Sequence, residues 1–158
     1  MQDAGVGNVD RLDMSNSQHI DSQKAAAGGR CVVLVDDEPH ITHMVARKLK
    51  QCGFTVHTAM DGQQGLELIL EVGPDLVVTD LQMPYMSGIG LATRLFSSEK
   101  TKDIPVIMLS ARGFAIEEQI KELGNVKSLL SKPFGTKALI EMIHSTLSTD
   151  DGVEGLCA

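Results

Sequence analysis

Aromatic side chains are scarce: 3% of the 158 residues, with no Trp and one Tyr. That is too few for a platform on which nucleic-acid bases stack. Basic residues number 14 against 21 acidic ones, for a net charge of −7. Phosphate-backbone binding depends on clustered Lys and Arg, so direct nucleic-acid binding is not expected. Unbroken apolar runs are short. Even Cys31 to Val35 stops far below the roughly 18 residues of a membrane helix. No apolar segment follows Met1, so neither a membrane span nor a secretory signal is expected. The three cysteines, Cys31, Cys52 and Cys157, cannot all pair and lack metal-ligand spacing. They favour a reducing, cytoplasmic setting. No G-x-G-x-x-G follows the first apolar run, and Gly62, Gly65, Gly88 and Gly90 do not form a dinucleotide-binding fingerprint.

What is present is ordinary globular material: 42% hydrophobic and 22% charged residues, in a length that suits one domain. Residues 1–30 are rich in Gly, Ser, Asn, Gln and Asp without periodicity, and read as a disordered arm or linker. Residues 148–158, STDDGVEGLCA, read as a flexible acidic tail. Between them, 31–147 alternate short apolar runs with amphipathic stretches. The runs are Cys31–Val35, Phe54–Ala59, Leu76–Thr79, Val106–Leu109 and Val126–Leu130. CVVLV, LVV and VIML are nearly continuous, as in strands buried on both faces. FTVHTA alternates and predicts an edge strand.

Helical spacing appears between the runs. Ile41, Val45, Leu49 and Cys52 predict the first helix, stopped by Gly53. Leu66, Ile69 and Leu70 face inward in a second, from Gly62 to Val72 before Gly73-Pro74. A third runs from Gly88 to about Ser98 and a fourth from about Phe114 to Leu123. Leu139, Ile140, Ile143 and Leu147 mark a last helix over Thr136 to Leu147. Repeated βα units imply an α/β fold with a parallel sheet, helices on both faces and right-handed crossovers. Strand order 2-1-3-4-5 places a site at the carboxyl ends of strands 1, 3 and 4.

Those ends carry the polar residues. Strand 1 leads into Asp36-Asp37-Glu38, strand 3 into Asp80, strand 4 into Ser110-Ala111, and strand 5 into Lys132-Pro133. Carboxylates gathered there repel: two unit charges about 4 Å apart interact by roughly 4 kcal/mol at an effective dielectric of about 20. Either one takes a proton or a cation joins them. Oxygen-only ligands favour a hard divalent ion, for which Mg²⁺ is the natural choice. Lys132 can pair with Asp80 or with a phosphoryl oxygen, to which Ser110 can also donate.

The motifs VLVDDEP, VVTDLQMPYMSGIG, VIMLSA and LLSKPF, in this order over about residues 31–147, resemble the receiver domain of two-component response regulators. The resemblance implies a flavodoxin-like (βα)5 fold and a phosphorelay switch rather than a metabolic enzyme. Asp80 would be the phosphoacceptor, receiving its phosphoryl group from a histidine kinase or a phosphotransfer protein. Asp37 would be a direct Mg²⁺ ligand, Asp36 an acidic partner acting largely through water, and the Gln82 carbonyl a further ligand. Ser110 would be the switch hydroxyl, beside Ala111, and Lys132 the phosphoryl-binding cation. The bond before Pro133 would be cis. Gln82 and Arg112 would flank the hydrolytic water. Leu129 stands where many receivers carry Tyr or Phe, so coupling to the face of helix 4, strand 5 and helix 5 is expected to be weak. That face would control a downstream protein target or an output domain. With only about eleven residues after the last helix, the chain is expected to be either a stand-alone regulator or a receiver cut from a longer, for example hybrid-kinase, protein with residues 1–30 as linker.

Each residue alone has a plainer reading. An acidic pair after a strand often complements a helix N-terminus. Asp80 suits a turn cap, Ser110 a helix cap, and Lys132 solvent. Their joint occurrence at one predicted crevice outweighs these. His40 and His43 read as a solvated face, His57 as outward on the edge strand, and Met83, Met86 and Met108 as packing. A Mg²⁺-dependent aspartyl-phosphate phosphatase or phosphotransferase, of the haloacid-dehalogenase kind, is the rival enzyme class. It wants Asp-x-Asp and a cap, whereas the acids here are adjacent and no cap insertion exists. A degenerate receiver acting only as an interaction module is disfavoured by the complete set of acids, serine and lysine.

Overall fold

A computed structural model describes residues 30–111 and 117–151. The N-terminal arm, Arg112 and the tail from residue 152 lie outside the described residues. In chain order the elements are β1 (Cys31–Val35), α1 (Pro39–Gln51), β2 (Thr55–Ala59), α2 (Gly62–Val72), β3 (Leu76–Asp80), α3 (Gly88–Phe96), β4 (Val106–Ser110), α4 (Glu117–Lys121), β5 (Val126–Ser131) and α5 (Thr136–Asp151). The five strands form one sheet in the order β2-β1-β3-β4-β5, and every pairing is parallel.

Alternation along β1 explains why its whole run is apolar. Val32 and Leu34 join Val45, Leu49, Leu139 and Ile143 on the face covered by α1 and α5. Val33 and Val35 join Ile69, Leu91 and Leu95 on the face covered by α2 and α3. Each such side chain contributes about 1.5–3 kcal/mol of burial.

The helix boundaries follow local signals. Asp61 caps α2 by accepting the Gln64 amide at 2.8 Å, and Ser87 caps α3 by accepting from Gly90 at 3.0 Å. Gly53 and Gly73 end α1 and α2 with φ of 96° and 58°, conformations that glycine adopts without strain. The inward stripe of α2 differs from expectation. Gly62, Gly65 and Ile69 are its buried residues, whereas Leu70 is 56% exposed. A Cβ on Gly65 would lie 2.8 Å from Val35 Cγ2, so the bare glycine lets α2 lie directly on β1. The inward face is therefore rotated by about one residue from the one that leucine periodicity predicts. The last helix continues to Asp151, past the Leu147 end predicted from its apolar stripe. No helix among the described residues is long and apolar enough to cross a membrane.

Candidate acidic site at the carboxyl edge of the sheet

Register brings the site together. Val35 lies opposite Thr79, so the next residues, Asp36 and Asp80, leave neighbouring strands at the same level. Ser110 lies opposite Ser131, and the Lys132 amide donates to the Ser110 carbonyl at 2.8 Å. The Lys132–Pro133 bond is cis, as the family resemblance implied.

The loop after β3 is held close to the strand end. Gly88 N–H donates to the Leu81 carbonyl at 2.8 Å. A Cβ at Gly88 would meet the Asp80 carbonyl oxygen at 2.4 Å, so α3 starts against the backbone of the site. Tyr85 in this loop has φ 70°, an uncommon conformation for a bulky residue, and its side chain is exposed.

Carboxylate oxygens of Asp36, Asp37 and Asp80 lie within 4.8 Å of one another. Asp36 and Asp80 are buried and Asp37 is exposed. This oxygen-only, triply acidic set open to solvent on one side fits a hard divalent cation. Asp36 Oδ1 accepts the Glu38 amide at 3.0 Å, and Asp80 Oδ1 accepts the Leu81 amide at 3.0 Å. Burial pushes both carboxyls above the ordinary value, and for Asp80 the Asp36 charge adds to the push.

Lys132 Nζ stands 3.2 Å from Asp80 Oδ1, 3.4 Å from Asp36 Oδ2 and 3.2 Å from Glu38 Oε1. Burial works to lower its pKa, but the charge of Asp36 and the hydrogen bond and charge of Asp80 outweigh it, and the net direction is upward. Lys132 therefore remains an ammonium.

Asp36, Asp37, Asp80, Ser110 and Lys132 thus come to one edge, as expected. Ser110 is buried at the end of β4 and Ala111 is exposed just beyond it. Gln82 is exposed in the loop after Leu81. Leu129 is half-buried on β5 and packs against the core under α3. Glu38 is the participant that residue-by-residue reading left without a role. Its signal was its place directly after the acidic pair.

His40 and His43 are exposed, as read, whereas His57 is half-buried. Met108 is buried, and Met83 and Met86 pack against the same core. Cys31 is buried in β1. Cys52 is half-buried and packs against the core under α1 and α5, and Cys157 lies outside the described residues.

Comparison with known proteins agrees with this geometry. A family profile described as the response regulator receiver domain matches residues 32–144. The phosphate regulon transcriptional regulatory protein PhoB of Pseudomonas aeruginosa is 37% identical over 122 residues, covering 75% of this chain and 52% of PhoB. The hybrid signal transduction histidine kinase D of Dictyostelium discoideum is 35% identical over 138 residues, covering 86% of this chain and 9% of the kinase. The chain therefore spans about half the length of the first relative and a small part of the second. Among solved structures, the chemotaxis response regulator CheY4 of Vibrio cholerae superposes with a TM-score of 0.69 at 27% identity, covering 73% of this chain and 97% of that one. With its fold, its acidic edge and its family match in agreement, this chain belongs to the response regulator receiver domain family.

Proposed function

We propose that this receiver accepts a phosphoryl group on Asp80 from a histidine kinase or a histidine phosphotransfer protein, in the cytoplasm. The observation that carries the reading is Lys132 Nζ at 3.2 Å from Asp80 Oδ1 beside three converging carboxylates. In the transfer, the bond between phosphorus and the donor's imidazole nitrogen breaks as an Asp80 carboxylate oxygen bonds to phosphorus. The imidazole leaves and regains a proton. Lys132 offsets charge on the phosphoryl oxygens, and Ser110, at the neighbouring strand end, donates its hydroxyl to one of them.

Asp36, Asp37, Asp80 and the Gln82 carbonyl are the groups that would hold Mg²⁺. Bound there, the ion supplies charge neutralisation for the transferring group. The modification adds up to about two negative charges. Drawing Ser110 toward them would shift the loop after β4 and the face of α4, β5 and α5, through which a protein target or an output domain would read the state.

The test uses acetyl phosphate as a small donor. Wild type should gain one phosphoryl adduct by mass spectrometry and Asp80→Asn none. Asp37→Ala should weaken Mg²⁺ binding at least about tenfold, one direct ligand being lost. An undiminished adduct on Asp80→Asn would overturn the assignment. Turnover of a small phosphate ester without a stable adduct would point to a phosphatase instead.

A further inference from the structure

Glu38 lies outside the cluster of oxygens that converge from Asp36, Asp37 and Asp80, yet its backbone is fixed at both ends. Its N–H donates to Asp36 Oδ1. Its carbonyl accepts the Ile41 and Thr42 amides, both at 3.1 Å. Pro39 follows at the first helical position and restrains the chain there. Glu38 is the N-cap of α1, but its side chain makes no capping hydrogen bond. It reaches instead to Lys132 Nζ at 3.2 Å.

An ammonium has three N–H bonds. Lys132 faces three carboxylates, those of Glu38, Asp80 and Asp36. An arriving phosphoryl oxygen must displace one of them. Asp36 is 0% exposed, so releasing it strands a buried charge. The Glu38 side chain is 46% exposed, and water can solvate it once released. Glu38 is therefore the partner whose loss costs least.

We propose that Glu38 is a positioning residue that holds Lys132 in the resting state and competes with the phosphoryl group for it, setting how readily Asp80 is phosphorylated. This deepens the phosphoacceptor reading and rests on it. Two variants separate competition from plain electrostatics. Glu38→Gln keeps the reach and removes the charge. Glu38→Asp keeps the charge but falls one methylene short of Lys132, and its shorter carboxylate suits helix capping instead.

The experiment titrates the full chain with beryllofluoride at saturating Mg²⁺, read by amide NMR. Initial rates of acetyl phosphate acceptance are measured in parallel. Both variants should bind beryllofluoride about two- to fivefold tighter than wild type, the range expected for removing a partly exposed ion pair, and accept phosphate correspondingly faster. Mg²⁺ affinity of Glu38→Asp should match wild type. Tightening in Glu38→Gln alone overturns competition in favour of simple charge repulsion. Unchanged or weaker binding in both overturns it outright, as does a tenfold loss of Mg²⁺ affinity in Glu38→Asp. A wild type that takes up no beryllofluoride would instead defeat the phosphoacceptor reading itself.

Discussion

On one side of the acidic edge, every residue of β1 and β3 is buried, and α3 covers the sheet with Leu91, Ala92 and Leu95, all inaccessible to solvent. On the other side, none of the five described residues of α4 is buried, and β5 leaves each of its side chains partly or fully exposed. A groove runs between them, lined by Ile120, Leu123, Val126 and Leu129. The side of Asp36 and Asp80 is thus anchored in a packed core, while α4 and β5, unlike the deeply packed α5, are held by few buried contacts. Elements of low burial are the ones that open and shift at small energetic cost. Packing is thus densest beside the three carboxylates and lightest along α4 and β5.

The widest test of this contrast is truncation in each half. Leu95→Ala should cost about 2–5 kcal/mol in urea unfolding, as for other fully buried leucines. Ile120→Ala, half-buried on α4, should cost about 1 kcal/mol or less. Equal losses would mean that α4 is as well anchored as α3.

Glycines give a second, smaller contrast. Gly88→Ala places a methyl 2.4 Å from the Asp80 carbonyl, and overpacking against backbone should cost about 1–3 kcal/mol. Gly124→Ala meets only the edge of the Phe96 ring at 3.3 Å, a side chain free to turn, and should change stability by about 0.5 kcal/mol or less. Thermal melts of the two variants measure the difference directly.

Charge provides the third. Asp80 has a folded pKa raised above 3.8 by burial and by Asp36. Its folded form binds protons more tightly than its unfolded form, so without metal it lowers stability as pH rises above 3.8. Asp80→Asn should therefore stabilise the metal-free protein at pH near 7, seen as a higher Tm. That gain should shrink as pH falls toward 3.8 and the wild-type carboxyl takes up its proton. Lys132 runs the other way. Its pKa is raised above 10.5, so its contribution is full below that value and is lost as pH rises through the folded one. Melts of wild type and Asp80→Asn across pH check both signs.

The smallest effect concerns Leu129, which lines the groove and packs against the core under α3. With no ring to turn inward behind Ser110, it should pass on little of the change. Ligand coupling of this kind is typically about 1–3 kcal/mol, and the low end is expected here. Beryllofluoride should shift the amides of α4, β5 and α5 less in wild type than in Leu129→Tyr. Equal shifts would show that leucine couples as well as an aromatic residue.

Much of this arrangement was legible in the chain itself. Continuous apolar runs such as CVVLV report a strand buried on both faces, because alternate residues must each meet a helix layer. Alternating runs and helical stripes order into a doubly wound sheet, because parallel strands need right-handed crossovers. The acids, serine and lysine then fall at one edge from strand order alone. Other features depend on contacts between distant segments. Gly65, not Leu70, faces the sheet because the approach of α2 to Val35 sets the helix rotation, and a periodicity count does not know how close two backbones come. The end of α5 at Asp151 lies past the last apolar marker, where the stripe no longer reports. The role of Glu38 arises only when a lysine 94 positions away is brought within 3.2 Å. Local pattern determined which residues become strands and which carry charge; tertiary packing decided which of those charges meet, because an ion pair is set by distance in space rather than along the chain.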